Sequence, residues 1–197
     1  MTAFVSLFRG INVGGHQKIR MDELKDLHES LGLKDVVTYI QSGNVVFTSD
    51  DADPHEDRHQ APSSTHPHPL SLQIRGQIED GFAKKFGFRV KVMVRTSAEL
   101  SDIIANNPFQ NQPTKEAKWV VVMFLATRPE RTALEDLQKT YVGPEELCLI
   151  GQELYIYYPN GIGRSKLSGT FIEKKLKTSG TGRNLNTILQ LQKMIQR

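Results

Sequence analysis

Apolar and polar residues follow two periodicities in the first half of the chain. Short runs rich in β-branched and aromatic residues, which favour strands, lie at 3–8, 36–40, 45–48 and 88–94. Apolar residues at helical spacing predict helices over 21–31 and 70–86. The resulting order, β-α-β-β-α-β, is that of the ferredoxin-like split βαβ unit.

The second half repeats much of this order. Strand-like runs and helical spacing alternate again, with strands at 119–126, 147–150, 154–158 and 178–183 and helices at 129–141, 165–177 and 186–195. The last helix follows the closing strand and has no counterpart in the split βαβ unit. The sequence therefore predicts an α+β protein of two tandem ferredoxin-like (βαββαβ) subdomains plus a C-terminal helix.

The same pattern predicts the domain organisation. Residues 1–95 should form the first subdomain, 96–117 a connecting helix and linker, and 118–197 the second subdomain with its terminal helix. Strand runs that are apolar at every position, such as 119–125, predict sheets that are buried on both faces.

A proline- and histidine-rich segment at 50–69 interrupts the first subdomain. It has almost no apolar residues, which predicts a mobile loop. Four of the six histidines lie in it, His55, His59, His66 and His68. They lack the compact spacing and supporting groups of a metal centre, so we predict no metal site.

A glycine-bearing loop at 9–15 leads from the first strand towards the first helix. Its glycines, Gly14 and Gly15 among them, would let backbone N–H groups approach a phosphate, and Arg9 and Asn12 could add side-chain bonds. The loop matches neither the dinucleotide-binding fingerprint nor the P-loop, and its glycines could equally form a simple turn.

A second glycine-bearing loop, at 160–166, is predicted to occupy the position in the second half that loop 9–15 occupies in the first. Arg164, Ser165 and Lys166 are predicted in the first turn of the following helix, where basic side chains oppose the helix dipole unless an anion is bound. Arg183, at the end of the last strand, is predicted to project towards the same region. Asn184 or Asn186 should cap the last helix.

Charge is unevenly distributed. The net charge is +3, but residues 161–197 hold eight basic side chains and one acidic side chain. This asymmetry favours an acidic partner, such as a nucleotide or nucleic acid, although a solvated helix face would carry the same pattern.

The remaining composition narrows the class of protein. The single cysteine, Cys148, lies in an apolar run and cannot form a disulfide within the chain, which indicates a reducing compartment. The N-terminus does not read as a signal peptide, and no apolar stretch is long enough for a bilayer, so we predict a cytoplasmic protein without membrane contact. The usual hydrolase, metalloprotease and redox motifs do not occur.

Five stretches carry a resemblance to a known family. They are 7–15, 39–47, 106–109, 158–167 and 182–187, and together they resemble the bacterial domain-of-unknown-function family 1697. The resemblance implies two ferredoxin-like subdomains and no assigned activity, so it transfers no catalytic residue and no cofactor. Leu185 stands where that family commonly has tryptophan, and the histidine-rich loop is longer than usual for the family.

Three functions remain open from sequence. The leading interpretation is a protein that binds a phosphate-bearing ligand through the basic glycine loops. A second is an enzyme whose active site lies between the two subdomains, and a third is a protein-interaction module. The hairpin turn at 41–44 completes the predicted ligand-binding set with Gln41, Ser42 and Asn44, and Tyr157 joins it in the enzyme interpretation.

Overall fold

The protein is described by a computed structural model that covers residues 1–14, 18–50 and 67–196. The histidine-rich stretch 51–66 and Gly15 lie outside these described residues. The chain divides into two units, the first comprising Met1–Ser101 with Leu191–Arg197 and the second Asp102–Gln190.

The first unit contains a four-stranded antiparallel sheet. Its elements are β1 Thr2–Phe8, α1 Met21–Ser30, β2 Lys34–Tyr39, β3 Asn44–Ser49, α2 Pro69–Phe86, β4 Val92–Thr96 and the start of α3 Ser97–Ala105. The strand order is β2-β3-β1-β4, and every neighbouring pair is antiparallel.

The second unit has the same element order. Its elements are β5 Val120–Leu125, α4 Arg131–Thr140, β6 Glu146–Ile150, β7 Glu153–Tyr157, α5 Gly169–Leu176, β8 Gly180–Asn184 and most of α6 Leu185–Ile195. Its strand order is β6-β7-β5-β8, again antiparallel throughout. The prediction of a mixed helix-and-sheet protein is confirmed, with two such sheets and six α-helices in the described part of the chain.

Each unit ends in a strand that runs directly into a capped helix. Before α3, the Thr96 hydroxyl accepts from the Glu99 N–H at 3.1 Å while the Glu99 carboxylate accepts from the Thr96 N–H at 2.6 Å, which is a reciprocal capping box. Before α6, Asn184 accepts from the Thr187 N–H at 2.9 Å. The prediction that an asparagine caps the last helix is therefore confirmed.

Both faces of the central strands are buried, as predicted. In β1 the residues from Phe4 to Phe8 are at most 1% exposed, and every residue of β5 is buried. Successive side chains of a strand point to opposite faces, so this burial requires cover on both sides of each sheet.

Three sequence-based predictions are wrong. β4 begins at Val92 rather than at residue 88. α5 begins at Gly169, with Ser168 as its N-cap, so Arg164 and Lys166 precede the helix and do not oppose its dipole. The two glycine loops are not matching points either, because loop 9–14 follows the first strand of its unit and loop 160–166 follows the third.

Candidate functional site

The antiparallel register brings three chain connections to one end of the first sheet. Phe8, at the end of β1, lies opposite Val92, at the start of β4, and Leu7 lies opposite Asn44, at the start of β3. Beyond the ladder, the Phe8 N–H donates to the Gly43 carbonyl and the Arg9 N–H donates to the Lys91 carbonyl, both at 2.9 Å. Residues from sequence-distant loops therefore meet around the end of β1.

Asn12 holds the first glycine loop in place. Its amide nitrogen donates to the carbonyls of Ile19 and Gln41, each at 2.9 Å, and its amide oxygen accepts from the Ile19 N–H at 2.8 Å. Asn12 also adopts a left-handed backbone conformation, φ 57°, which asparagine tolerates better than most residues. Its side chain is thus used mainly to join two loops. Gly14 is exposed at φ 62°, and Gly15 lies outside the described residues.

The hairpin turn between β2 and β3 is fixed by close packing. A Cβ on Gly43, which has a φ of 73°, would lie 2.5 Å from Ile11 Cδ1 and 2.8 Å from Phe8 Cβ, so only glycine fits. The buried amide of Asn44 donates to the Tyr39 carbonyl at 2.9 Å and to the Ser42 hydroxyl at 3.0 Å. The predicted residues Ser42 and Asn44 therefore shape the turn.

A cationic cavity, which we call the basic pocket, opens at the same end of the sheet, beside the start of β4. It has a volume of about 280 Å³ and is lined by Arg9, Gly10, Glu79, Arg89, Val90 and Lys91. Three of these side chains are cationic and one is a carboxylate. The carboxylate of Glu79 is held by the Val92 N–H at 3.0 Å. The pocket is therefore suited to an anion.

A second depression, the larger depression, lies at the same end of the sheet. It has a volume of about 680 Å³ and is lined by Asn12, Lys18, Ile19, Arg20, Met21, Asp22 and Gln41. Arg20 and Asp22 form an ion pair on its rim. Ile40, next to Gln41, is half-exposed with a φ of 48°, an unfavourable conformation for a β-branched residue. Backbone strain of this kind is concentrated at functional sites in proteins.

The second glycine loop packs against the ring of Trp119. A Cβ on Gly161, at φ 81°, would lie 2.8 Å from Trp119 Cζ3, so the glycine is required by this contact. One 3₁₀ turn follows over Ile162–Arg164, and the side chains of Arg164 and Lys166 are exposed. These two cations lie on a surface turn of the second unit.

Ser165 belongs to a small polar cluster with Tyr141 and Glu145. The Tyr141 hydroxyl donates to the Glu145 carboxylate at 2.5 Å and lies 3.5 Å from the Ser165 hydroxyl, which also accepts from the Leu167 N–H at 2.9 Å. Partial burial raises the pKa of Tyr141, and the Glu145 carboxylate adds to this effect. Burial opposes ionisation of Glu145, but hydrogen bonds from Ser165 and Tyr141 outweigh it and lower the pKa of that carboxyl.

Arg183 and Tyr157, two further predicted site residues, each contact neighbouring side chains of the second unit. Arg183 is buried on β8, where its Nη1 donates to the Thr181 hydroxyl at 2.7 Å and to the Gly182 carbonyl at 2.9 Å, and desolvation lowers its pKa to about 10. The Tyr157 ring lies 5.0 Å from the Lys115 ammonium.

Sequence reasoning missed two residues of the basic pocket, Arg89 and Lys91. Both fall within the predicted strand 88–94, where they alternate with apolar residues as exposed positions do. Across the described ranges, no cluster of histidine, cysteine, aspartate or glutamate has a composition that could hold a metal ion. None of the helices there combines the length and apolarity that crossing a bilayer requires.

The fold and the loops together define a mixed α/β protein built from two repeated units, each with a four-stranded antiparallel sheet. The chain belongs to the family described as "Protein of unknown function (DUF1697)", whose model matches residues 1–155, and the predicted family is thereby confirmed. The basic pocket lies within the matched residues, whereas Arg164, Lys166 and Arg183 lie beyond them.

One solved structure extends this comparison to the whole chain. The fold is similar to that in "The structure of conserved bacterial protein SP0830 from Streptococcus pneumoniae", with a TM-score of 0.65, 21% sequence identity and coverage of 98% of each chain. Similarity at this identity concerns the fold alone. No curated protein matches the chain.

Proposed function

We propose that the protein binds a phosphate-bearing ligand, a nucleotide or nucleic acid, in the basic pocket of the first unit. The observation that carries this proposal is the convergence of Arg9, Arg89 and Lys91 on one cavity of about 280 Å³. Guanidinium groups match phosphate oxygens in a bidentate manner, and a lysine adds a compact positive charge.

The existing ion pairs of the pocket support this interpretation. Arg89 lies 3.5 Å from Asp80, and Lys91 lies 3.5 Å from Glu79. Charge-assisted hydrogen bonds are usually about 2.7–2.9 Å long, so both cations are held loosely. A phosphate could draw them into shorter contacts at little cost, since exposed pairs of this kind contribute only about 0–1 kcal/mol.

Inorganic pyrophosphate is a suitable probe because it carries the phosphate chemistry alone. Calorimetric titration should show Arg89-dependent binding, and Arg89→Ala should weaken it about ten- to hundredfold, the effect of losing a charge-assisted hydrogen bond. Arg131→Ala, which removes an exposed arginine from α4 in the second unit, is the matched control and should bind as wild type does. Equal binding by Arg89→Ala and wild type would refute the proposal.

We also propose a subsidiary role for the second loop. Arg164 and Lys166 are exposed cations with the charge to attract an anionic ligand, and Ser165 lies between them. The exposure of these cations supports long-range attraction more than the tight recognition of a pocket.

Four further attributes of the protein are also proposals. We infer that both units are ferredoxin-like, supported by the strand orders β2-β3-β1-β4 and β6-β7-β5-β8. We infer domain limits of 1–95 and 118–197 around a connecting segment at 96–117. A cytoplasmic location and a bacterial source are inferred from the single cysteine and from the resemblance to a bacterial family.

A further inference from the structure

We propose that the ligand is a single nucleotide, with its phosphate in the basic pocket and its nucleoside in the larger depression. This inference rests on the proposed function and adds the class of ligand. It assigns Gln41, in the hairpin turn, as a residue that contacts the nucleoside.

The two cavities have the size and chemistry of the two parts of a nucleotide. The basic pocket, at about 280 Å³, is small and mainly cationic. The larger depression, at about 680 Å³, combines the apolar side chains of Ile19 and Met21 with polar groups. Small-molecule sites typically have volumes of about 300–1,000 Å³ and join apolar walls to a few polar groups.

The two cavities lie on opposite sides of the end of β1. Gln41 precedes β3, and Lys91 precedes β4, and both of these strands pair with β1. Neighbouring strands lie about 4.8 Å apart, so β3 and β4 are roughly 10 Å apart across β1. A nucleotide can span this distance from its phosphate to its base.

Gln41 has the chemistry to recognise a base. Its backbone carbonyl is fixed by Asn12, while its side-chain amide is exposed and makes no hydrogen bond with the described residues. An amide offers a donor and an acceptor side by side, as the edge of a base does. Ile19 and Met21, which line the same depression, provide apolar surface against which a base can lie.

The aromatic residues argue against a nucleic-acid strand. Proteins that bind single strands stack successive bases on exposed rings. The sheet rings Phe4, Phe8, Phe47 and Tyr155 are at most 1% exposed, and no aromatic residue in the described ranges falls in the exposed class. The Tyr155 hydroxyl is also engaged, since it donates to the Ile103 carbonyl at 2.8 Å. A continuous stacking surface is therefore absent from the described part of the chain.

Calorimetric titrations with five kinds of probe test the inference. The probes are inorganic phosphate, pyrophosphate, the four ribonucleoside 5′-monophosphates, the corresponding nucleosides and a twelve-nucleotide single strand. At least one monophosphate should bind more than tenfold tighter than inorganic phosphate and than its own nucleoside. The single strand should bind no tighter than the best monophosphate, at the same salt concentration.

Two variants test the phosphate part and the nucleoside part of the site independently. Gln41→Ala keeps the backbone bond to Asn12 and should weaken the best monophosphate about three- to tenfold without changing pyrophosphate binding. Arg89→Ala should weaken both ligands. Arg131→Ala again serves as the control, and thermal unfolding should confirm that all three variants are folded.

The outcomes distinguish the inference from the proposed function. If pyrophosphate binds and depends on Arg89, but no monophosphate exceeds inorganic phosphate tenfold, the nucleotide inference fails and phosphate binding stands. If Gln41→Ala weakens every probe equally, the placement of the nucleoside is wrong. Tighter binding of the single strand, with a steep salt dependence, would make the ligand a nucleic acid. If no probe shows binding that depends on Arg89, both the nucleotide inference and the proposed function are overturned.

Discussion

The two units share one strand order but fill their helix-facing cores with different side chains. In the first unit this face includes a cluster of buried phenylalanines, with Phe4 and Phe47 stacked at 5.6 Å between ring centroids. A buried polar pair lies among the rings, where the Ser6 hydroxyl and His28 Nε2 are 2.9 Å apart and His28 Nδ1 lies 2.8 Å from the Leu24 carbonyl. In the second unit the same face is built mainly from aliphatic residues and methionine.

The strand register shows that the two units distribute side-chain volume differently between the central strand and the edge strand. In the first unit, small Ser6 on the central strand lies opposite Val94 on the edge strand; in the second, large Met123 lies opposite Gly182. A Cβ on the other edge glycine, Gly180, would lie 2.8 Å from Met123 Cε and 2.9 Å from Leu125 Cδ2. The Met123 side chain therefore occupies the space beside Gly180 that a larger edge residue would need, so the methionine explains the glycine.

The largest expected effect is a loss of stability in acid caused by His28. Burial lowers the pKa of His28 from 6.5 to about 4, so protons bind preferentially to the unfolded chain. Its contribution to stability is complete above about pH 6.5 and is lost as the pH falls towards 4. This loss amounts to roughly 3 kcal/mol at 1.36 kcal/mol per pKa unit. Urea unfolding at pH 7 and pH 4.5 measures most of it.

Paired substitutions isolate this effect from other acid-sensitive groups. His28→Leu leaves the buried Ser6 hydroxyl without its partner and should cost about 1–3 kcal/mol at pH 7. The double variant Ser6→Ala/His28→Leu removes both partners and should be more stable than His28→Leu alone. Both variants should lose the wild-type difference between the two pH values. A double variant that keeps the full acid sensitivity would show that His28 is not its source.

The next largest effect should come from Gly180 in the second unit. Gly180→Ala places a methyl group against Met123, Leu125 and the Phe124 carbonyl, which would lie at 3.0 Å, and should destabilise by about 1–3 kcal/mol through overpacking. Gly182→Ala is the matched control, since its nearest atom would be Val121 Cγ1 at 3.2 Å, and it should cost less.

A double variant tests whether the Met123 side chain creates the need for glycine at position 180. In Met123→Ala/Gly180→Ala the long side chain is absent, so adding the methyl group should cost less than it does in wild type. Fluorescence of Trp119, the single tryptophan, follows the second unit during urea unfolding. Additive losses in the double variant would mean that the Met123 contact does not determine the need for glycine.

The fold could largely be predicted because its strands are dense apolar runs and its helices have clear apolar stripes. The start of α5 could not be predicted from the sequence. Leu167 fits the helical stripe, yet it is buried ahead of the helix, and Ser168 accepts from the Phe171 N–H at 3.2 Å as the cap. A glycine followed by polar residues reads as a helix start whether it leads to an α-helix or to a 3₁₀ turn.

The candidate site was predictable in its first loop and not in its full composition. Arg9 and the turn at 41–44 were identified because glycine beside polar residues marks a turn. Arg89 and Lys91 join them only through the pairing of β1 with β4, which a single sequence does not reveal. The role of Asn12 in joining two loops was also not predictable, because the three backbone groups that its amide bonds come together only in the fold.

The smallest expected effect comes from the second loop, and it contrasts the two sets of cations. Arg164→Ala/Lys166→Ala should change the free energy of unfolding by less than about 0.5 kcal/mol, because both side chains are exposed and precede α5 rather than opposing its dipole. Pyrophosphate binding should weaken at most about threefold in low salt and should be unchanged near 0.5 M salt, where exposed charges are screened. The control is Lys139→Ala, which removes an exposed charge from α4. A loss of tenfold or more that persists in high salt would show direct contact between this loop and the ligand, and the basic pocket would then not be the principal anion site.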